Sequence, residues 1–183
     1  MRKALLSILI GTSPFSANGH AENFYFTLGY SALEREDSFP IRNPDTRVSA
    51  SADANIIEGG IGFEQNPYLS WEARLGFGSG SDNITYTYDG ISIDGGKYKI
   101  TTHASVYARP QFKYEDFLIY GLLGYAGFKE KVENYYDHYD GFVFGVGAGL
   151  VFGANSLSVE WKRMNPGDDV KLSGLSFVYQ HDF

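Results

Sequence analysis

Hydrophobic and polar positions alternate along most of the chain after its first twenty or so residues. The clearest segment is 141–152, where Phe142, Phe144 and Val146 share one face and glycine fills most of the other. A period of two residues predicts a β-strand, because successive side chains point to opposite faces. A soluble sandwich strand would carry polar residues opposite its core face. Bulky residues opposite small ones are typical of a narrow barrel, whose interior has little room.

The same alternation predicts eight antiparallel strands, at residues 23–32, 55–63, 68–77, 99–112, 117–128, 141–152, 156–164 and 171–183. Segment 117–128 is apolar on both faces, so its orientation is left unassigned. Short connections near 65–67, 113–116 and 153–155 alternate with longer polar ones at 34–50, 79–96 and 129–140 and a shorter one at 165–170. This pattern is typical of bacterial outer-membrane barrels. We therefore expect an all-β fold, an eight-stranded antiparallel up-and-down transmembrane β-barrel.

The main alternative with the same period is a soluble, lipocalin-like periplasmic barrel that turns its apolar face inward around a small apolar ligand. In a membrane barrel, seven charged residues would point into the interior. Their position on one face favours the membrane barrel, with its apolar face towards lipid, over the soluble barrel. These residues predict either a polar pore or a salt-bridge network that fills a small barrel. Geometry favours the network, because eight strands leave room only for side chains. The residues are Glu58, Glu72, Arg74, Lys99, Arg109, Glu160 and Lys162.

Composition agrees with a membrane barrel and excludes several classes of protein. The chain has 22 Gly, 14 Tyr, 14 Phe and no Cys, so disulfides, thiolate metal sites and a Cys nucleophile are excluded. A formal net charge of −7 argues against nucleic-acid binding, which needs a basic surface. The chain contains no run of about 18 apolar residues, so no transmembrane helix is predicted. We expect no cofactor and no metal, and a monomer.

The first 21 residues predict a signal peptide. Arg2 and Lys3 precede a short apolar stretch, and Gly19 and Ala21 are the small residues of a cleavage site before Glu22. The alternative is an N-terminal element of a cytosolic protein. Cleavage would leave residues 22–183 as the barrel domain and change the formal net charge from −7 to −9.

Enzymatic candidates are few. Outer-membrane lipid-modifying enzymes need a serine nucleophile beside a histidine. His103 and Ser105 lie on one predicted strand face, but no G-x-S-x-G elbow is present. We expect barrel lining rather than catalysis.

The segment 129–140 is the most distinctive predicted external loop. It combines acidic residues with Tyr135, Tyr136 and Tyr139. Tyrosine provides contact area at low entropic cost, so the segment predicts either protein recognition or an aromatic girdle at the headgroup level. The partner of such a surface is unknown.

The C-terminal half resembles the Ail/Lom/OmpX-like small outer-membrane barrels, within the outer-membrane β-barrel domain family. The resemblance rests on Arg109-Pro110-Gln111-Phe112, Ile119-Tyr120-Gly121, the glycine run 145–149 and the terminal Phe183. It implies a non-enzymatic protein of the bacterial outer membrane, in contact with lipid and lipopolysaccharide, with a role in adhesion or as a structural envelope component. It also implies that Phe177, Tyr179 and Phe183 form the signal for the outer-membrane assembly machinery. His181 departs from the pattern, where an aromatic residue is common.

Overall fold

The strands of the computed structural model follow the alternation of the sequence but extend further than predicted. The structure describes residues 23–41, 43–88, 91–133, 135–165 and 170–183, without the side chains of 38–41 and 43–47; the predicted leader, 1–21, lies outside these ranges. The strands in these ranges are β1 (Phe24–Ile41), β2 (Asn43–Asn66), β3 (Leu69–Gly78), β4 (Asp82–Tyr88), β5 (Ile91–Tyr114), β6 (Phe117–Val132), β7 (Tyr135–Phe152), β8 (Asn155–Asn165) and β9 (Val170–Asp182).

The sheet closes on itself into a ring. Each strand pairs antiparallel with its neighbours in the order β1, β2, β3, β5, β6, β7, β8, β9, and β9 pairs back onto β1. β4 pairs with β2 and β5, the same neighbours as β3, so it continues the third barrel strand after a break at 79–81. The prediction of eight strands in an up-and-down barrel is therefore confirmed. Closure gives each strand of the described ring a paired neighbour on both sides, as lipid requires. No helix in the described part of the chain is long and apolar enough to cross a membrane.

The outer face is apolar and the inner face carries the charges. Leu28, Ile61 and Val146 point outward and are more than half exposed, while the interior holds buried glutamates and arginines. The lipocalin-like alternative is thus wrong, because it requires an apolar interior. Segment 117–128, whose orientation the sequence left open, lies within β6. Its residues Leu118, Tyr120 and Leu122 point inward, and Ile119 and Leu123 point outward.

The three long connections predicted at 34–50, 79–96 and 129–140 are strands for most of their length. β1 and β2 stay paired as far as Ile41 and Asn43, and β6 and β7 as far as Val132 and Tyr135. The reason is visible in β2, where Val48, Ala50, Ala52 and Ala54 are all buried at alternate positions. The barrel wall therefore continues beyond the membrane. The opposite end keeps the short turns that were predicted, with left-handed backbone at Glu115 (φ 51°) and Gly153 (φ 64°).

Candidate functional site

A charge network fills the interior at the level of the membrane, with Arg74 at its centre. Its Nη1 and Nη2 atoms each donate to Glu160 at 2.7 Å, and Nη1 also donates to Glu58 at 3.2 Å. The Arg74 Nε donates to Glu72. The guanidinium thus has carboxylates on all sides, which is the condition under which a fully buried charge is tolerated.

Two more cations complete the network. Lys162 donates to Glu58, and its Nζ lies 3.3 Å from Ser31 Oγ. Arg109 donates to Gln180 at 2.7 Å and to Glu72 at 3.3 Å. The three carboxylates and three cations of the network cancel in formal charge. Arg109 also lies 3.8 Å from the ring centroid of Tyr120, close enough for a cation–π contact.

The network joins strands on opposite sides of the ring. β3 and β8 are separated by three strands in either direction, yet Arg74 of β3 bonds Glu160 of β8. The same holds for Arg109 of β5 and Gln180 of β9. Interior bonds of this kind cross the full width of the barrel, so the described interior is a packed core and not a pore.

Six of the seven residues predicted to be interior lie in this network, and the seventh does not. Lys99 is exposed on the outer face, whereas its neighbours Tyr98 and Ile100 are buried. The pairing of β5 with β6 shifts by one residue between Ile100 and Thr102. Such a bulge reverses the alternation beyond it. Counting alternate positions back from Arg109 therefore assigns Lys99 to the wrong face of the strand. The prediction for Lys99 was wrong for this reason.

An apolar layer lies above the network, towards the external hairpins. Leu33, Ile56, Ile100, Phe128 and Leu172 are buried there and pack in one cluster. These side chains come from five strands of the ring, and they separate the charges at membrane level from a second polar level above.

The second polar level is a buried ion pair that sequence analysis missed. Arg35 Nη1 donates to both Glu130 oxygens at 2.7 Å, and β1 and β6 are again on opposite sides of the ring. The guanidinium lies 5.3 Å from the ring centroid of Tyr98 and 5.4 Å from that of Tyr139. Burial, and then the Glu130 carboxylate, raise the pKa of the Tyr98 phenol, so this ring stays neutral beside the cation. Arg35 lies two residues after the buried Leu33 on β1 and therefore points to the same side of the strand. Alternation in the sequence could have predicted its inward position.

A cup of about 320 Å³ opens above this ion pair, between the external hairpins. Arg35 and Glu130 are part of its lining, and Ile84, Tyr86 and Val132 line it with them. The cup therefore has aromatic and apolar walls around a charged group.

The predicted tyrosines separate into different roles. Tyr135 and Tyr136 are 78% and 66% exposed at the start of β7, beyond the apolar outer band. Tyr139 instead stacks on Phe128, with ring centroids 5.5 Å apart. The structure thus places Tyr136 on the outer surface, and Tyr135 and Tyr139 in the lining of the cup.

Two residues of the predicted assembly signal, Phe177 and Tyr179, lie on β9, and the third, Phe183, directly follows the end of that strand. Phe177 and Phe183 face outward and are 64% and 63% exposed, and the Tyr179 hydroxyl donates to Asn155 at 2.6 Å. The Phe183 ring also lies 6.0 Å from that of Phe26 on β1, where the sheet closes.

The Ser–His pair considered for catalysis is inside the barrel. His103 and Ser105 are both buried, and the Ser105 hydroxyl has no hydrogen-bond partner among the described residues. The charged group nearest His103 is Glu58, with 3.6 Å between Nδ1 and Oε2. Neither side chain faces the lipid.

The closed antiparallel wall, the apolar exterior and the charged interior define the class of protein. It is a transmembrane β-barrel of the bacterial outer membrane. The chain belongs to the family described as outer membrane protein beta-barrel domain, whose model matches residues 4–183. It is an integral protein of the outer membrane, with its hairpins at the cell surface. No curated protein sequence matches the chain significantly.

Solved structures of small outer-membrane barrels resemble this one. The Pseudomonas aeruginosa outer membrane protein OprG superposes with a TM-score of 0.62 at 8% identity, over 90% of this chain and 98% of that one. Ail, the attachment invasion locus protein of Yersinia pestis, was solved with the heparin analogue sucrose octasulfate; it gives 0.55 at 16% identity, over 88% and 99%. Neisserial surface protein A gives 0.56 at 13% identity, over 87% and 97%. These likenesses show the fold.

Proposed function

We propose that this protein is a non-enzymatic anchor that presents its external hairpins for interaction at the cell surface. The observation that carries the proposal is the continuation of β1–β2, β4–β5 and β6–β7 as paired strands beyond the apolar band. Paired strands hold their side chains in fixed positions, which lowers the entropic cost of binding a partner.

Exposed apolar and aromatic side chains at the hairpin ends supply the contact surface. Ile91 and Ile93 are 64% and 63% exposed on β5, and Tyr135 and Tyr136 extend from β7. Aromatic residues are enriched where proteins recognise one another. The acids and bases of the interior bond one another, which supports a structural role for them.

A non-enzymatic role is supported by the surroundings of the one Ser–His pair that was considered. His103 faces Glu58, and Ser105 makes no hydrogen bond to it. A serine nucleophile needs a base within hydrogen-bond reach and access to substrate. A lipid substrate would have to cross the barrel wall to reach these residues.

The experiment compares adherence of cells that display the wild type with cells that display the Tyr135→Ser/Tyr136→Ser or the Ile91→Ser/Ile93→Ser variant. Tyr114→Ser is the matched control, because Tyr114 is 63% exposed at the end of the barrel with short turns. Ail was solved with a heparin analogue, so immobilised heparin is the first surface to test, followed by extracellular-matrix proteins.

We expect both hairpin variants to lose adherence while the control keeps it, at equal surface amounts. Equal adherence of all variants would contradict the proposal and favour a purely structural role in the envelope. In that case a deletion strain should become sensitive to detergents without losing any binding.

Export and assembly are part of the same proposal. Residues 1–21 are removed as a signal peptide, and the mature chain begins at Glu22. The assembly machinery reads Phe177, Tyr179 and Phe183. N-terminal sequencing of the mature protein tests the first statement. Deletion of Phe183 tests the second, with accumulation of the chain in the periplasm as the expected result.

A further inference from the structure

The cup between the external hairpins is closed from below and open towards the outside. Its volume of about 320 Å³ is at the lower end of the range typical of small-molecule sites. The apolar layer that contains Leu33 and Phe128 lies beneath it, so a molecule that enters from outside cannot pass through the barrel. The cup therefore has the shape of a binding site for a small ligand and not that of a channel.

The charges that line the cup do not cancel. Arg35 lies between two carboxylates, since Nη1 donates to Glu130 at 2.7 Å while Nη2 and Nε donate to Asp37 at 2.6 and 3.2 Å. Asp137 adds a third carboxylate, and the described lining residues include no cation besides Arg35. Three acids and one base give the cup a formal charge of −2.

The Glu130 carboxyl shows the effect of this excess negative charge. Burial raises its pKa, and Asp37 and Asp137 raise it further against the opposing effect of Arg35. Burial of a carboxylate costs free energy unless a cation compensates its charge. A cationic ligand would add that compensation. An anionic ligand would increase the cost, because all three nitrogens of Arg35 already donate to carboxylates of the protein.

Tyrosine rings form the second part of the lining. Tyr86 of β4 and Tyr135 and Tyr139 of β7 surround the cup. Tyr139 already contacts one cation, because the Arg35 guanidinium lies 5.4 Å from its ring centroid. Aromatic faces attract ammonium groups, and they do so for a quaternary ammonium that has no N–H to donate. The aliphatic side chain of Ile84 adds apolar surface between the rings.

We propose that the cup binds a small organic ammonium ion, a cation with apolar substituents on its nitrogen. The carboxylates attract its charge, and the tyrosine rings and the aliphatic wall contact its substituents. An inorganic cation would leave the apolar wall in contact with water, and a neutral molecule would leave the negative charge uncompensated. The proposal goes beyond adherence, because it concerns a dissolved ligand held inside the ring of hairpins.

The test compares three probes of similar shape and different charge. Choline is the cation, neohexyl alcohol is its uncharged carbon analogue, and tert-butylacetate is the anion. Each is titrated into the refolded full-length barrel in a maltoside detergent, which carries no ammonium group, and backbone amide NMR follows binding. We expect choline to shift the signals of residues 130–132 and 135–139. The alcohol should bind at least about fivefold more weakly, and the anion should not bind.

Two pairs of variants test the lining itself. Asp137→Asn removes a carboxylate from the cup, and its control Asp140→Asn removes one from the outer face of the same strand. Tyr135→Leu removes a ring from the cup, and its control Tyr136→Leu removes the ring of the outward-facing neighbour. We expect choline to bind about fivefold more weakly to Asp137→Asn and about threefold more weakly to Tyr135→Leu. Both controls should bind it as the wild type does.

Equal affinity of the wild type for choline and neohexyl alcohol would overturn the proposal without any variant. A loss in Asp140→Asn as large as that in Asp137→Asn would also overturn it, because the charge would then act from outside the cup. All four substituted side chains are exposed, so every variant should keep the shift between unheated and heated samples on SDS gels. Adherence is measured on cells and choline binding on the purified barrel, so either proposal can fail while the other stands.

Discussion

At the scale of single residues, the interior is governed by the cost of burying charge. Arg74, Glu58, Glu72 and Glu160 are all almost completely buried, and each has a partner of opposite charge. Removal of one partner leaves an uncompensated charge in a medium that solvates it poorly. Glu160 is the sharpest case, because it accepts bonds from both Arg74 and Tyr120.

We expect Glu160→Gln to lower the free energy of unfolding by about 3–5 kcal/mol, since Arg74 loses its bidentate carboxylate. Urea titration of folding into detergent micelles measures this. Lys113→Gln is the control, because Lys113 pairs with Glu64 in a partly exposed position. Its loss should cost less than about 1 kcal/mol. Equal stability of Glu160→Gln and the wild type would mean that the central network is not needed for stability.

The outer face follows the opposite rule, since lipid accepts apolar side chains and rejects charges. Val146 is 61% exposed near the middle of β7, opposite Trp161 of β8. We expect Val146→Arg to cost about 2–4 kcal/mol of folding free energy in a bilayer. Tyr136→Arg, beyond the membrane on the same strand, should change it little. Refolding into lipid vesicles with urea compares the two, and insertion of Val146→Arg at unchanged stability would contradict the outward, lipid-facing orientation.

At the scale of elements, the strands extend beyond the membrane because their inward-facing side chains remain buried there. Phe128 and Glu130 are each 1% exposed although they lie on β6 beyond the membrane. Burial of each inward-facing side chain stabilises the pairing of the two strands of the hairpin. Short polar loops would not pack in this way.

We therefore expect slow amide hydrogen exchange in residues 128–132 and 135–140, comparable to that of the strands at membrane level. Antiparallel pairing such as Phe128 with Tyr139 predicts this protection. Hydrogen-exchange NMR in micelles measures it, with the exposed turn at Glu133 as the internal reference for fast exchange. Uniformly fast exchange through both segments would show that the hairpin is a loop in solution.

At the scale of the whole molecule, bonds across the ring close the barrel at two levels. Arg74–Glu160 spans it within the membrane and Arg35–Glu130 spans it above, with the apolar layer between. Ions would have to disrupt both pairs and enter an apolar region to pass.

We expect no stepwise conductance when the wild type is reconstituted in planar bilayers. The Arg35→Ala/Glu130→Ala variant should also stay closed, because the lower network still spans the ring. Heat-modifiable migration on SDS gels verifies that both proteins are folded. Discrete conductance steps of the wild type would show that the interior is open.

The sequence by itself determined the strand number, the lipid-facing side and the six charged residues of the central network. It could do so because the alternation of side chains along a strand does not depend on which strand lies beside it. Tertiary structure decided the rest. The partners of Arg74 and Arg35 depend on which strands face each other across the closed ring. The outward position of Lys99 depends on a bulge that adds one residue to one strand of a pair. The length of the hairpins depends on inward side chains such as Ala50 finding a wall to pack against, and only closure of the barrel provides that wall.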